Sequence, residues 1–129
     1  MKKGIIIAVA ITIIILILSA LTIFSQKETI SYSLQGKEYE LLVADNSQKW
    51  QKGLMDKKRL DNADGMIFIF PDKSVRSFWN ENTYLDLDLY WLDDDKVIGK
   101  SFLPSVKKQG VITVTSPAAV NKVIELVRK

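Results

Sequence analysis

Asp86 and Asp88 stand two residues apart in "YLDLDLYW", Tyr84 to Trp91. On a β-strand that spacing puts both carboxyls on one face, with Cα atoms roughly 6–7 Å apart. Two acids so placed could serve a paired-carboxylate hydrolase or a Ca²⁺ site. The calcium-loop pattern D-x-[DN]-x-[DN]-G is absent, and Asp93, Asp94 and Asp95 read as a solvated turn. Ionised acids on a wet strand face need no further role, so no catalytic residue, metal or cofactor is assigned. Just upstream, "SFWNENT" (Ser77 to Thr83) sets Trp79 beside a polar turn. Trp79 would give a flat apolar wall, and Asn82, Thr83 and Asp88 directional hydrogen bonds; this quartet is the candidate ligand-binding set. The competing reading makes Trp79 ordinary core and the Asn residues turn formers that tolerate unusual φ. Ser105-Val106-Lys107-Lys108 matches S-x-x-K, but it precedes a strand in a turn, without the helix that would aim the lysine.

The absent residue types narrow the chemistry. The chain has no Cys and no His. That removes disulfides, thiol nucleophiles, imidazole bases and the usual zinc ligands. Any catalysis would rest on carboxylates, Lys, Tyr or a hard metal held by oxygen.

The elements that must position these residues follow from pattern. "TISYSLQGKEYELLVAD" (Thr29 to Asp45) reads as a hairpin turning at Gly36. A main helix is expected within Asp45 to Met55, capped by Asp45 or Ser47, with Trp50 and Leu54 on one face. The Lys57-Lys58-Arg59 run after it reads as a solvated basic turn near the negative end of the helix dipole. "GMIFIF" (Gly65 to Phe70) reads as a central strand covered on both faces, with Phe68 or Ile69 deeply buried. Pro71-Asp72 is expected to turn the chain. Strands over "SVRSFW", Tyr84–Leu92, "KVIGKSFL", "VITVTS" and "NKVIELV" follow. In the Tyr84–Leu92 strand, Leu85, Leu87, Leu89 and Trp91 share one face, and Asp86, Asp88 and Tyr90 the other. Seven or eight short strands with one short helix describe a single compact, mostly β domain, sandwich-like, jelly-roll-like or barrel-like.

Before this domain, Gly4 to Phe24 runs without a charged residue behind Lys2 and Lys3. About 20 apolar residues cross a bilayer core, and the two lysines favour a cytoplasmic N-terminus. The run exceeds the ~7–15 residues of a signal-peptide core, and the small-x-small sites near Ala20 and Ser25 are spoiled by Leu18 and Ile23. Residues 1–25 are therefore read as a retained, single-pass anchor through residues 4–24. Residues 26–129 are read as an extracytoplasmic domain held close to the membrane by the short spacer Gln26-Lys27-Glu28. Two of the 18 basic residues, Lys2 and Lys3, precede the domain, leaving 16 bases against 15 acids. That near-neutral balance gives no stripe for nucleic acid.

Several segments, in order, resemble the domain of unknown function 192 family. They are Gly53-Leu54-Met55 with Leu60 following, "GMIFIF" with Pro71, Ser77-Phe78-Trp79 with Asn82-Thr83, Leu87-Asp88, and "SPA…VIEL" (Ser116 to Ala118 and Val123 to Leu126). The resemblance implies a compact, mostly β domain of sandwich or jelly-roll type with one short helix. It implies no activity. Asn80-Glu81 stand where the family motif has Met-Lys, Asp86 where it has proline, and Lys57 where it has Arg. Since Asp88 occupies the motif Asp, it is expected to be the partly buried acid, bonded by backbone or by the Asn82-Thr83 turn, with Asp86 exposed. The function expected is a membrane-anchored binding or accessory module of the cell envelope, its partner an envelope protein or glycan. The alternatives are a carboxylate-dependent hydrolase acting on envelope glycans through Asp86 and Asp88, and a structural protein-interaction module.

Overall fold

The structure, a computed structural model, describes residues 2–24 and 28–129. Gln26 and Lys27 of the spacer lie outside the described residues.

Helix α1 (Lys2–Phe24) is 23 residues of almost unbroken apolar character, roughly 35 Å at 1.5 Å per residue. It is long and apolar enough to cross a membrane, and a signal sequence meets the same description.

The domain begins with a hairpin, β1 (Thr29–Leu34) and β2 (Lys37–Ala44). Its two-residue turn holds Gln35 and Gly36 at φ +50° and +84°, the doubly left-handed geometry whose twist suits a tight hairpin. A short helix, α2 (Ser47–Lys52), follows. Asn46, rather than the expected Asp45 or Ser47, caps it by accepting from the Lys49 backbone N–H. The Trp50 indole N–H donates to the carbonyls of Ala44 (3.0 Å) and Ile69 (3.1 Å), pinning α2 to the sheet. Leu54 is buried beyond the helix end.

Strand β3 (Gly65–Ser74) runs parallel to β2. It does not turn at Pro71-Asp72 as expected; it continues to Ser74 through a register irregularity beginning after Ile69. A bulge accommodates a residue with no N–H to donate. Strand β4 (Ser77–Trp79) then leaves the main sheet. Strands β5 (Leu87–Asp93) and β6 (Lys96–Leu103) form a hairpin across Asp94-Asp95, with Asp94 at φ +53°. A single turn, α3 (Val106–Gln109), stands where only a turn was expected, so the domain has two short helices. Strand β7 (Thr113–Thr115) pairs with β4, and β8 (Val120–Val127) closes the fold.

The result is mostly β. One six-stranded sheet has the order β1-β2-β3-β8-β5-β6, and β4-β7 form a small second sheet. The β2–β3 pair is the parallel one in an otherwise antiparallel arrangement.

Side-chain alternation divides the core. One face carries Phe68, Leu87, Leu89, Trp91, Leu103 and Val123, covered by α2, Leu54 and the β4–β7 pair through Phe78 and Val114. Phe78 stands edge-on to both Phe68 and Trp91, with centroids 4.8 and 5.6 Å apart. The other face buries Leu34, Leu41, Ile67, Leu92, Ile124 and Leu126. Phe68 is buried as expected, whereas Ile69 is half-buried. Leu85, Leu87, Leu89 and Trp91 are all inside.

Candidate binding cleft

The β4–β7 pair and α2 do not close completely over the sheet. Between them lies an open cleft of about 440 Å³. Trp50, Phe68, Phe70, Phe78 and Trp79 give it aromatic walls. Trp79, at the end of β4, is 52% exposed and stands at the rim, so it is not core. Arg76 enters from the β3–β4 link, its guanidinium 3.7 Å from the Phe70 ring centroid. It is held by Asp72 through both side chain and carbonyl, and by the Val120 carbonyl.

Glu125 also lines this cleft. It lies in β8, opposite Met66 on one neighbour and Leu89 on the other. Its side chain follows Val123 and Val127 onto the covered face of the sheet. It is 4% exposed, and its Oε2 has no hydrogen-bond partner. Burial pushes its carboxyl up to about 8, because a low-dielectric surrounding disfavours the charged form. Burial therefore favours the protonated form, which can donate one hydrogen bond through its O–H while its other oxygen still accepts.

The loop beside Trp79 is built around Asn80, which is 0% exposed. Its amide donates to the carbonyls of Pro104 (2.9 Å) and Gly110 (3.0 Å) and accepts from the Ile112 N–H (2.7 Å). Asn80 thus fastens the loop to the segment around α3. Asn82 sits at φ +51°, a conformation Asn tolerates, and its carbonyl accepts from the Asp56 N–H. Its side chain is exposed. Thr83 is buried, its hydroxyl donating to the Glu81 carbonyl at 3.1 Å, and it reaches the cleft wall.

Of the four residues singled out from sequence, Trp79 and Thr83 therefore meet at one cleft. Asn82 supports the loop from behind. Asp88 lies elsewhere: its side chain is on the opposite sheet face, with Phe102 opposite it in β6. There it accepts from Arg128 Nη2 at 2.6 Å, and Arg128 stacks 3.8 Å from the Phe102 ring centroid.

The expected contrast between the two acids also fails. Asp86 and Asp88 side chains are similarly covered, 22% and 18% exposed. Asp86, not Asp88, receives a backbone N–H, from Ser105 at 2.8 Å. The Asn82-Thr83 turn donates to neither. Lys108, and then the Ser105 N–H, hold the Asp86 carboxyl below the usual carboxylate range. In the S-x-x-K stretch, Ser105 caps α3 and Lys108 pairs with Asp86. Asp93, Asp94 and Asp95 pair at the surface with Lys73 and Lys122. Among the described residues no three acids come together as a metal site.

Sequence reasoning passed over Glu125 and Arg76, and took Asn80 for a turn former. The signal for Glu125 was present: it is a lone acid in the apolar run Val123–Val127. A charged residue inside such a strand must be neutral, paired or functional.

These features define a small, mostly β domain built around one aromatic cleft with an acid in its lining. The chain belongs to the domain of unknown function 192 family, described as "Uncharacterized ACR", whose sequence profile matches residues 30–129. A Sinorhizobium meliloti protein, provisionally named a transcription regulator, has a similar crystal structure: TM-score 0.60, 24% identity, 77% of this chain and 78% of that one. A protein of unknown function from Novosphingobium aromaticivorans is similar with TM-score 0.62 and 21% identity, over 77% of this chain and 71% of that one. Both likenesses are of fold. No functionally curated protein matches the chain.

Proposed function

We propose that the chain is a membrane-anchored, extracytoplasmic binding module of the cell envelope, and that the cleft beside Trp79 holds its ligand. The observation that carries this reading is the buried Glu125 in the lining of the open aromatic cleft, its Oε2 without a hydrogen-bond partner. Buried polar groups are ordinarily satisfied, and concave apolar sites with a few polar groups are where small ligands bind. The apolar α1 supports the anchor, and Lys2-Lys3 support a cytoplasmic N-terminus. The regulator name of the Sinorhizobium meliloti protein is not carried over, because a likeness at 24% identity is one of fold.

The hydrolase reading needs two acids facing one cleft. Asp86 and Asp88 are instead ion-paired with Lys108 and Arg128, away from the cleft. The structural-module reading needs no cleft residue, which gives the test. The intact protein, extracted from its own membranes, is examined by native mass spectrometry beside Trp79→Ala. An adduct on the wild type that the variant loses supports the binding module; equal spectra count against it. The same spectra decide the anchor, since a mature chain starting between Ala20 and Gln26 would leave a secreted domain.

A further inference from the structure

The ligand's chemistry can be narrowed from the groups that face it, on the reading that the cleft is a binding site. The charged groups lining the cleft are Lys52 from α2, Arg76 from the β3–β4 link, and Glu125 from β8. We propose that the cleft takes an uncharged ligand combining a flat apolar ring with a carbonyl-type oxygen, and that the Glu125 carboxyl donates a hydrogen bond to that oxygen.

The three alternatives differ in charge. A cationic ligand would meet two cations, and the Phe70 ring is already covered by the Arg76 guanidinium. Binding a cation would also require ionising Glu125. The desolvation of a buried ion pair offsets much of its attraction. An anionic ligand would be drawn by Lys52 and Arg76 but would have to leave its charge beside a desolvated acid. The surroundings that keep Glu125 protonated penalise that charge for the same reason. A wholly apolar ligand would fill the aromatic walls but leave Oε2 as unpartnered as it already is, drawing nothing from the acid. An uncharged acceptor avoids the two charge costs and gives the acid a partner. Trp79, half-exposed at the rim, offers the ring a flat face to stack on.

The test uses four probes of one shape, namely benzamide, toluene, benzylamine and benzoate. Each is titrated into the full chain in detergent micelles, and binding is read by NMR at the Trp79 indole N–H and the Thr83 amide. Benzamide should bind saturably and most tightly at about pH 6.5, and at least roughly tenfold more weakly at about pH 9.5, above the Glu125 range. Glu125→Gln, which keeps a neutral donor, should retain binding and lose the pH dependence. Glu125→Leu should weaken benzamide at least roughly tenfold and leave toluene unaffected or tighter. Tighter binding of benzylamine or benzoate than of benzamide overturns the inference while leaving the cleft a binding site. So does toluene matching benzamide, or benzamide binding that ignores pH. No saturable shift at Trp79 or Thr83 with any probe overturns both this inference and the cleft itself.

Discussion

A β-carbon added at Gly65 would stand 1.8 Å from the carbonyl oxygen of Glu125. Strands β3 and β8 approach so closely there that the residue opposite Leu126 must lack a side chain. The obstacle is backbone, so no rotamer change relieves it. Gly65→Ala should therefore force β3 and β8 apart and cost at least about 1–3 kcal/mol. For a domain of this size the thermal midpoint would fall by roughly 4–8 °C per kcal/mol. A melt matching wild type would mean the pairing is looser than described.

The Glu125 carboxyl gives a pH dependence of defined sign. Its folded pKa, about 8, lies above its ordinary value of 4.5. Between these values the folded state holds a proton that the unfolded chain has lost, so stability falls as pH rises through this window. The slope is roughly 1.4 kcal/mol per pH unit at most, and it flattens above the folded value. Glu125→Gln has no such proton. Denaturant melts of the two proteins at a series of pH values should diverge between about pH 5 and pH 8. Parallel curves would show that water or a counter-charge already satisfies the acid.

Asp86 and Asp88 should behave unequally. Asp86→Ala removes the acceptor of the Ser105 N–H and frees Lys108. Stranding that buried donor costs roughly 1–3 kcal/mol. Asp88→Ala breaks a half-exposed pair with Arg128, while the Phe102 stacking can persist; roughly 1 kcal/mol or less is expected. The lowered Asp86 pKa adds that its stabilisation is present above the ordinary aspartate range and is lost as pH falls through the folded value. Thermal melts of both variants at neutral and acid pH decide the order. A larger loss for Asp88→Ala would restore the ranking expected from sequence.

Asn80→Ala should be the most damaging polar substitution in the cleft loop. It would leave the carbonyls of Pro104 and Gly110 and the N–H of Ile112 without their partner. At roughly 1–3 kcal/mol per stranded group, the loss should approach the entire stability of a small domain. Hydrogen exchange at Ile112 gives a local readout: its amide should lose protection even where the domain stays folded. Unchanged protection would assign the loop's anchorage to other contacts.

What could be read from sequence was local. The Gln35-Gly36 turn, the apolar "GMIFIF" strand and the inward Leu87, Leu89 and Trp91 declare themselves through neighbouring residues. Pairing over distance did not. The parallel β2–β3 match, the detachment of β4 into its own sheet, and the passage of β3 through Pro71 depend on partners far along the chain. The parity of Asp86 and Asp88 was legible, but their partners Lys108 and Arg128 lie 22 and 40 residues away. Asn80 resembled a turn former because it sits in a turn; that its side chain points inward depends on three backbone groups between Pro104 and Ile112. Trp79 was found by type, and Glu125 was missed because acids are usually solvated.

Strand β8 is the last strand in chain order and lies in the interior of the sheet, between β3 and β5. Until it arrives, β1-β2-β3 and the β5-β6 hairpin have no shared edge. During synthesis, two unfinished β units are made before the strand that joins them, and open strand edges are ready templates for mispairing. The insertion of β8 joins them in a single long-range step, of the kind that slows folding. It also carries Glu125 beneath the aromatic walls, so the cleft and the finished sheet come into being together.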